Sequence, residues 1–322
     1  MRRAPTARMS QWTADDMPAM DGATVVVTGA NSGLGYAATE AFADAGATVV
    51  MACRSEQRGE RAAAEIRRAT GKGEDTGDLD VCVCDLASLD SVASFAEGVA
   101  DAYQRVDVLC NNAGVMAIPR QETADGFEMQ LGVNHFGHFA LTGHLLPLLR
   151  ASEGESRVVT QSSGAHTAGE MDFTDLNWEH SYSKWGAYGR SKLANLLFAF
   201  ELQRRLAETD LDIVSAACHP GYADTELQFR GPRESGSTVK MAAMKLSNAL
   251  LGQSAERGAL PMLYAATSDK IAGGEYVGPG GLFSMRGYPE FQTPSADATD
   301  EGDAAELWDR SEELTGVAYD FD

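Results

Sequence analysis

A glycine-rich segment directly after a short β-branched run constrains the fold of this chain most strongly. Residues 24–28 read Thr-Val-Val-Val-Thr, residues 29–35 read Gly-Ala-Asn-Ser-Gly-Leu-Gly, and an alanine-rich pattern follows to about residue 45. Glycines allow a tight turn, and alanine favours a helix. The segment therefore predicts a strand, a turn and a helix in immediate succession.

Strand and helix signals alternate along the rest of the chain. Further strands are predicted at residues 48–53, 79–84, 106–111, 157–162, 213–218 and 275–277, separated by helical patterns. The strands are continuous apolar runs, which is typical of a parallel sheet with both faces covered. We predict an α/β fold with a single doubly wound Rossmann-type domain, in which helices cover both faces of a mostly parallel, seven-stranded sheet. Residues 1–20 are expected to form an N-terminal arm before this domain at 21–322.

Charge and composition exclude several classes of function. The net charge is -21, from 26 basic and 47 acidic residues, which argues against nucleic-acid binding. No apolar run of 18 residues and no secretory signal is present, so we expect a cytoplasmic protein with no membrane segment. The basic residues are 6 Lys and 20 Arg, a composition that favours a halophilic source over an acidic mesophilic enzyme. The five scattered cysteines do not indicate a disulfide framework.

The glycine-rich turn is a candidate dinucleotide site. Glycines let a backbone approach a pyrophosphate closely, and a helix N-terminus offers free N–H groups and a positive dipole end. The G-x-x-x-G-x-G spacing differs from the G-x-G-x-x-G of other dinucleotide folds. The candidate contacts are Gly29, Asn31, Ser32, Gly33, Leu34 and Gly35.

Arg54, at the end of the second predicted strand, favours NADP over NAD. An acidic residue here would bind a ribose 2′-hydroxyl, whereas an arginine can hold a 2′-phosphate. No acid precedes Glu56, and Arg58 is a possible second contact. An ordinary exposed arginine at a strand end is the alternative.

Tyr188 and Lys192 lie four residues apart, on one face of a predicted helix. A free phenol has a pKa of about 10, and a nearby ammonium lowers that value. The pair is a candidate acid/base device, although the same spacing also occurs on ordinary helix surfaces.

Seven short segments together resemble the short-chain dehydrogenase/reductase superfamily, in particular the retinol-dehydrogenase and WW-domain-oxidoreductase-like group of carbonyl reductases. The segments are residues 28–35, 85–86, 111–114, 133–139, 162–163, 188–192 and 220–221. The separation of 25 residues between Ser163 and Tyr188 is longer than is usual in the superfamily and resembles this group.

The resemblance implies a role for each matching residue. Tyr188 would be the acid/base, and Lys192 would lower its pKa and hold the nicotinamide ribose. Ser163 would stabilise the substrate oxygen, and Asn134 would support a proton relay. The remaining implied cofactor contacts are Asp85, Leu86, Asn111, Ala113, Gly114, Pro220, Gly221 and Thr225. Residues 222–265 resemble the variable substrate-binding segment of the family, where Met241, Met244 and Met262 would form either an apolar lining or ordinary helix core.

These expectations describe an NADP(H)-dependent oxidoreductase that interconverts an alcohol and an aldehyde or ketone, with an apolar small-molecule substrate. The alternatives are a catalytically silent NADP-binding regulatory or scaffold protein, or a protochlorophyllide-reductase-like enzyme. The helices predicted around 126–149 and 187–206 are candidates for pairing in a homo-oligomer. His135, His138 and His144 are interpreted as packing or surface residues and not as a metal site.

Overall fold

The computed structural model describes residues 11–70, 79–221, 253–281 and 284–322. Within these residues, one sheet has the strand order β3-β2-β1-β4-β5-β6-β7-β8. The strands are β1 (Thr24–Thr28), β2 (Thr48–Cys53), β3 (Leu79–Val83), β4 (Val108–Asn111), β5 (Ser156–Gln161), β6 (Ile213–Cys218), β7 (Tyr276–Pro279) and β8 (Pro289–Phe291). All neighbouring strands from β3 to β7 are parallel, and β8 is antiparallel to β7.

Helices connect the strands and cover the sheet. They are α1 (Gly33–Asp44), α2 (Glu56–Thr70), α3 (Leu89–Ala102), α4 (Met129–Leu131), α5 (Gly137–Arg150), α6 (Lys184–Leu206), α7 (Ala255–Thr267) and α8 (Glu301–Thr315). A π-helical turn, Gly132–Phe136, joins α4 to α5. The predicted doubly wound α/β fold is confirmed.

The predicted count of seven strands is wrong, because β8 adds an eighth. This strand has only three residues and begins with a proline, so it shows no alternating apolar pattern. The predicted burial of β3 on both faces is also wrong. β3 pairs only with β2 at the sheet edge, and Val83 is 50% exposed.

Alternate side chains of the central strand β1 enter opposite apolar layers. Val25 and Val27 pack in one layer with residues of α1, α2 and α7, such as Phe42. Val26 packs in the other layer with residues of α3, α5 and α6, such as Phe139. Both faces of the sheet are therefore covered, as the apolar strand runs predict.

The strand order reverses beside β1. The chain runs outward from β1 to β3 and then returns to β4 on the other side of β1. In doubly wound sheets, ligands bind at the carboxyl ends of the strands where this reversal opens a crevice. The glycine-rich turn follows β1 and residues 112–114 follow β4, so both lie at this crevice.

The two ends of the described chain pack on the domain. Trp12 lies edge-on against Tyr264 of α7, with ring centroids 5.2 Å apart. Trp308 of α8 stacks on Phe198 of α6, and the Tyr319 hydroxyl donates to the Phe139 carbonyl oxygen of α5 at 2.7 Å. The C-terminal residues thus lie on the helices that are candidates for pairing between subunits. Homo-oligomerisation, the division at residue 20, the cytoplasmic location and the halophilic source stay predictions.

In the part of the chain that the structure describes, no helix combines the length and apolar character needed to cross a bilayer.

Candidate active site

The glycine-rich turn after β1 has a backbone that strongly favours glycine at two positions. Gly29 and Gly33 have φ angles of +68° and +57°, in the left-handed region. A Cβ on Gly35 would lie 2.4 Å from the Gly29 carbonyl oxygen and 2.7 Å from Nδ2 of Asn112. The turn is therefore closed tightly against α1 and the β4 loop.

The N-terminus of α1 remains available to an anion. Ser32 is the N-cap residue, but its side chain makes no capping hydrogen bond with the described residues. The first turn of the helix carries no acidic side chain. Unpaired N–H groups at such an end attract negative charge, so this turn fits a phosphate group.

Asn112 holds the turn in place through hydrogen bonds, and it is not among the site residues predicted from the sequence. Its Nδ2 donates to the Thr28 carbonyl oxygen at 2.7 Å. The backbone N–H groups of Asn112 and Ala113 both donate to the Thr28 hydroxyl at 2.9 Å. The sequence feature that could have indicated this role is the position of Asn112 within residues 111–114, a family-like segment at the end of a strand.

Asn111 faces the interior. It is fully buried, and its Nδ2 donates to the Thr142 hydroxyl of α5 at 2.9 Å. Its side-chain oxygen has no hydrogen-bond partner among the described residues. The position of Asn111 therefore supports a structural role between β4 and α5.

Gly114 brings the β4 loop against the candidate catalytic residues. A Cβ at this position would lie 2.9 Å from Oδ1 of Asn134 and 3.6 Å from Nζ of Lys192. The crevice beside the glycine-rich turn thus continues to Lys192.

Arg54 is exposed at the carboxyl end of β2. Its side chain forms no hydrogen bond or ion pair with any described residue. Asp85, after β3, accepts a hydrogen bond from the Ala87 amide at 3.1 Å, and Leu86 is buried against Gly137.

Tyr188 and Lys192 lie on the buried side of α6, with 6% and 4% of their surface exposed. Ser163 follows β5, and its side chain lies near enough to Tyr188 to lower the pKa of that phenol. Its Oγ also accepts from the Ala165 amide at 3.2 Å, so its own proton is directed elsewhere. Ser162 instead donates to the Lys192 carbonyl oxygen at 2.7 Å, which supports the choice of Ser163 as the functional serine.

Burial dominates the electrostatics of the pair. It raises the pKa of Tyr188, and the nearby side chain of Ser163 opposes this shift. It lowers the pKa of Lys192 to about 8. The sequence predicts a lowered pKa for Tyr188, and the direction found here is the opposite. The Lys192 ammonium donates to the Gln161 carbonyl oxygen at 3.0 Å, while removal of the phenol from water disfavours the phenolate.

Asn134 lies in the π-helical turn and ties the β4 loop to α6. Its Oδ1 accepts from the Val115 amide at 2.8 Å, and its Nδ2 donates to the Val115 carbonyl oxygen at 3.0 Å and to the Ser191 hydroxyl at 2.9 Å. The π-helical insertion aims this side chain at the loop. Its part in a proton relay stays a prediction.

The segment between Ser163 and Tyr188 is held by buried side chains of the α4 region. Gln130 Nε2 donates to the Tyr182 hydroxyl at 2.8 Å, and that hydroxyl lies 3.0 Å from Oε1 of Glu128. Gln130 Oε1 accepts from the Ala117 amide at 2.6 Å. The two contacts of the Tyr182 hydroxyl join residues more than fifty positions apart, and no sequence motif indicates them.

Pro220 and Gly221 follow β6. Gly221 has a φ of +65°, and a Cβ there would lie 2.4 Å from the Met285 carbonyl oxygen. The Pro220 carbonyl oxygen accepts from Gln253 at 2.6 Å. Thr225, Met241 and Met244 lie outside the described residues, and Met262 is core of α7.

The clustered histidines are packing residues. His135 and His138 are buried, and burial lowers the pKa of His135 to about 3 and that of His138 to about 4. His138 contacts the Thr28 hydroxyl through Nε2 at 2.9 Å. No group of potential metal ligands occurs among the residues with described positions.

Comparisons with known proteins agree with this geometry. Residues 23–234 match the family model of the short-chain dehydrogenases. The chain is 42% identical to human retinol dehydrogenase 13, over 92% of this chain and 85% of that protein. It is 40% identical to mouse polyprenol dehydrogenase, over 94% of this chain and 86% of that protein. The structure of an uncharacterized protein from Mycobacterium paratuberculosis is 43% identical and superposes with a TM-score of 0.78, covering 97% of this chain and 100% of that one.

Proposed function

The chain belongs to the short-chain dehydrogenase family, and on that premise we propose that it is an NADP(H)-dependent oxidoreductase that interconverts an alcohol and an aldehyde or ketone. The observation that carries this proposal is the pair of buried residues Tyr188 and Lys192 with the half-buried Ser163 beside them, where Lys192 also lies close to Gly114. Together they combine a hydroxyl donor, an acid/base and a cation at one end of the crevice.

The protein groups act on the substrate oxygen. Ser163 donates a hydrogen bond to that oxygen, and Tyr188 gives it a proton in reduction or removes one in oxidation. The bound nicotinamide supplies or accepts the hydride. The Lys192 ammonium uses one of its three donors on the Gln161 carbonyl, which leaves two for the ribose hydroxyls.

The residues present fit a dinucleotide. The free N-terminus of α1 would hold the pyrophosphate, and the close contact at Gly35 keeps side chains out of its path. Arg54, which has no polar partner among the described residues, would bind the 2′-phosphate that distinguishes NADP from NAD. Asp85, Ala113 and Gly221 stay proposed contacts.

An apolar substrate is favoured by Trp185. This side chain is 54% exposed, and its ring lies edge-on to that of Tyr188, with centroids 6.2 Å apart. An exposed indole beside the acid/base offers an apolar surface to the body of the substrate. The relatives named for retinol and polyprenol point to the same substrate chemistry.

The direct test is turnover by the purified protein. The protein is mixed with NADPH and a panel of aldehydes and ketones, some long and apolar and some small. Turnover should be seen as a loss of nicotinamide absorbance, and the long apolar carbonyls should be preferred. NADPH binding without turnover of any member would favour the silent regulatory protein. The absence of both NADPH binding and turnover would refute the proposal.

A further inference from the structure

His166 is a buried residue beside the proposed site to which the sequence assigns no role. It lies in the short 3-10 turn Gly164–Ala168, which begins directly after Ser163. Only 4% of its surface is exposed, although the following residue, Thr167, is exposed. The chain thus turns one side chain of an exposed loop inward.

The two ring nitrogens of His166 contact two separate backbone segments. Nδ1 lies 2.7 Å from the Ser163 carbonyl oxygen, and Nε2 lies 3.2 Å from the amide nitrogen of Ser295. The amide can only donate, so Nε2 must accept and Nδ1 must carry the proton. One neutral tautomer satisfies both contacts, and burial, which lowers the pKa of His166, favours that neutral form.

The ring also packs against aromatic neighbours that extend toward Tyr188. It lies perpendicular to the Tyr276 ring at a centroid distance of 5.6 Å, and Tyr276 in turn lies against His219 at 5.1 Å. Tyr276 also packs in an apolar cluster with residues of α6 such as Leu193, and α6 carries Tyr188. A shift of the His166 ring would therefore disturb this packing as well as its two hydrogen bonds.

We propose that His166 is a positioning residue, which holds Ser163 in place against Tyr188 through its hydrogen bond to the Ser163 carbonyl, while the Ser295 amide fixes the tautomer and orientation of its ring. This inference rests on the proposed function. The Ser163 backbone is held by His166, and its Oγ is held by the Ala165 amide. The hydroxyl that contacts the substrate oxygen is therefore fixed from both sides.

Two substitutions separate the contact with Ser163 from mere packing. In His166→Asn, the amide can replace Nδ1–H as the donor to Ser163, whereas His166→Phe keeps a ring against Tyr276 and loses both hydrogen bonds. Since a misplacement of about 1 Å costs on the order of 100-fold in rate, we expect kcat of His166→Phe to fall about 100-fold and that of His166→Asn to fall less than about tenfold. NADPH affinity should be unchanged in both, because the hydrogen bonds and ring contact of His166 are with Ser163, Ser295 and Tyr276 and not with the glycine-rich turn.

Tyr319→Phe is the control for lost stability alone. It removes one buried hydrogen bond, to the Phe139 carbonyl oxygen on α5, and should lower the melting temperature with kcat unchanged. Equal kcat values for His166→Asn and His166→Phe, or a wild-type kcat in His166→Phe, would overturn the positioning role.

Amide hydrogen exchange at Ser295 tests the contact without any turnover. Protection of the Ser295 amide should be lost in His166→Asn, even if His166→Phe does not fold. Unchanged protection would refute the contact itself. A wild-type protein that protects Ser295 but reduces no carbonyl would refute the proposed function and leave this contact in place.

Discussion

The turn after β1 and the segment after β5 both flank the crevice, but they are held in different ways. The turn is closed by glycine backbone and by Asn112, within a few ångströms of the strand that it follows. The segment at residues 164–183 depends on side chains of distant elements, such as Gln130 on Tyr182. The cofactor side thus depends on glycine backbone and on one asparagine that follows the adjacent strand β4, whereas the substrate side is assembled from several polar side chains of other elements.

This comparison predicts that a substitution of Tyr188 strongly reduces catalysis but leaves cofactor binding intact. Tyr188→Phe should lower kcat about 1,000-fold, because general acid/base catalysis typically supplies 10²–10⁴-fold. NADPH affinity, measured by calorimetry, should stay within about twofold of wild type, since a lost hydroxyl at the substrate oxygen leaves the turn intact. Full activity in this variant would contradict the assigned mechanism.

Gly35→Ala should damage the cofactor side selectively. The new Cβ would lie 2.4 Å from the Gly29 carbonyl oxygen, so the turn must open. We expect NADPH affinity to fall about 100-fold, equivalent to about 3 kcal/mol.

Gly98→Ala is the matched control for this change. A Cβ on Gly98, in α3, meets no described atom within 4 Å. It should keep wild-type affinity and gain about 0.5–1 kcal/mol of stability. Equal NADPH affinities in the two alanine variants would show that the turn is not tightly closed.

Acid should weaken the contact between His138 and Thr28, the last residue of β1 before the glycine-rich turn. Burial lowers the pKa of His138 to about 4 from its ordinary 6.5, so the unfolded chain binds the proton first. The stabilisation is present above pH 6.5 and is lost as the pH falls toward 4, by at most about 3 kcal/mol. Urea unfolding of His138→Gln should show a shallower pH dependence than wild type in this window, and identical slopes would contradict the assignment.

Arg54→Asp should change the choice of cofactor and leave the substrate side unchanged. A hydrogen bond to a charged group contributes about 1.5–3 kcal/mol, so the ratio of NADPH to NADH efficiency should fall at least about tenfold. The KM for the carbonyl should not move. An unchanged cofactor ratio would count against Arg54.

Tyr182→Phe should produce the smallest effect, confined to the substrate side. It leaves Gln130 Nε2 with one remaining partner, the Lys184 carbonyl oxygen, and should cost about 1 kcal/mol of unfolding free energy. The KM for the carbonyl should rise while NADPH affinity stays constant. A weakened NADPH affinity would show that the two sides are coupled.

The same contrast explains which features of the structure could be predicted from the sequence. β1, β2 and β6 match their predicted bounds, since apolar runs and local turns define them. The glycine-rich turn was also predicted, because its conformation depends on its own residues. Asn112, His166 and the Gln130–Tyr182 contact were not, because their partners are set by tertiary packing. The direction of the Tyr188 pKa was missed for the same reason: a spacing of four residues says nothing about burial.

Trp185 gives the molecule an optical signal of its own. The chain has four tryptophans, and Trp12 and Trp308 are buried while Trp185 is largely exposed beside Tyr188. Indole emission depends on the polarity around the ring, so a molecule that covers the phenol and displaces water from Trp185 should alter the fluorescence. Ligands can therefore be ranked by emission alone, before any substrate is known, and Trp185→Phe supplies the blank.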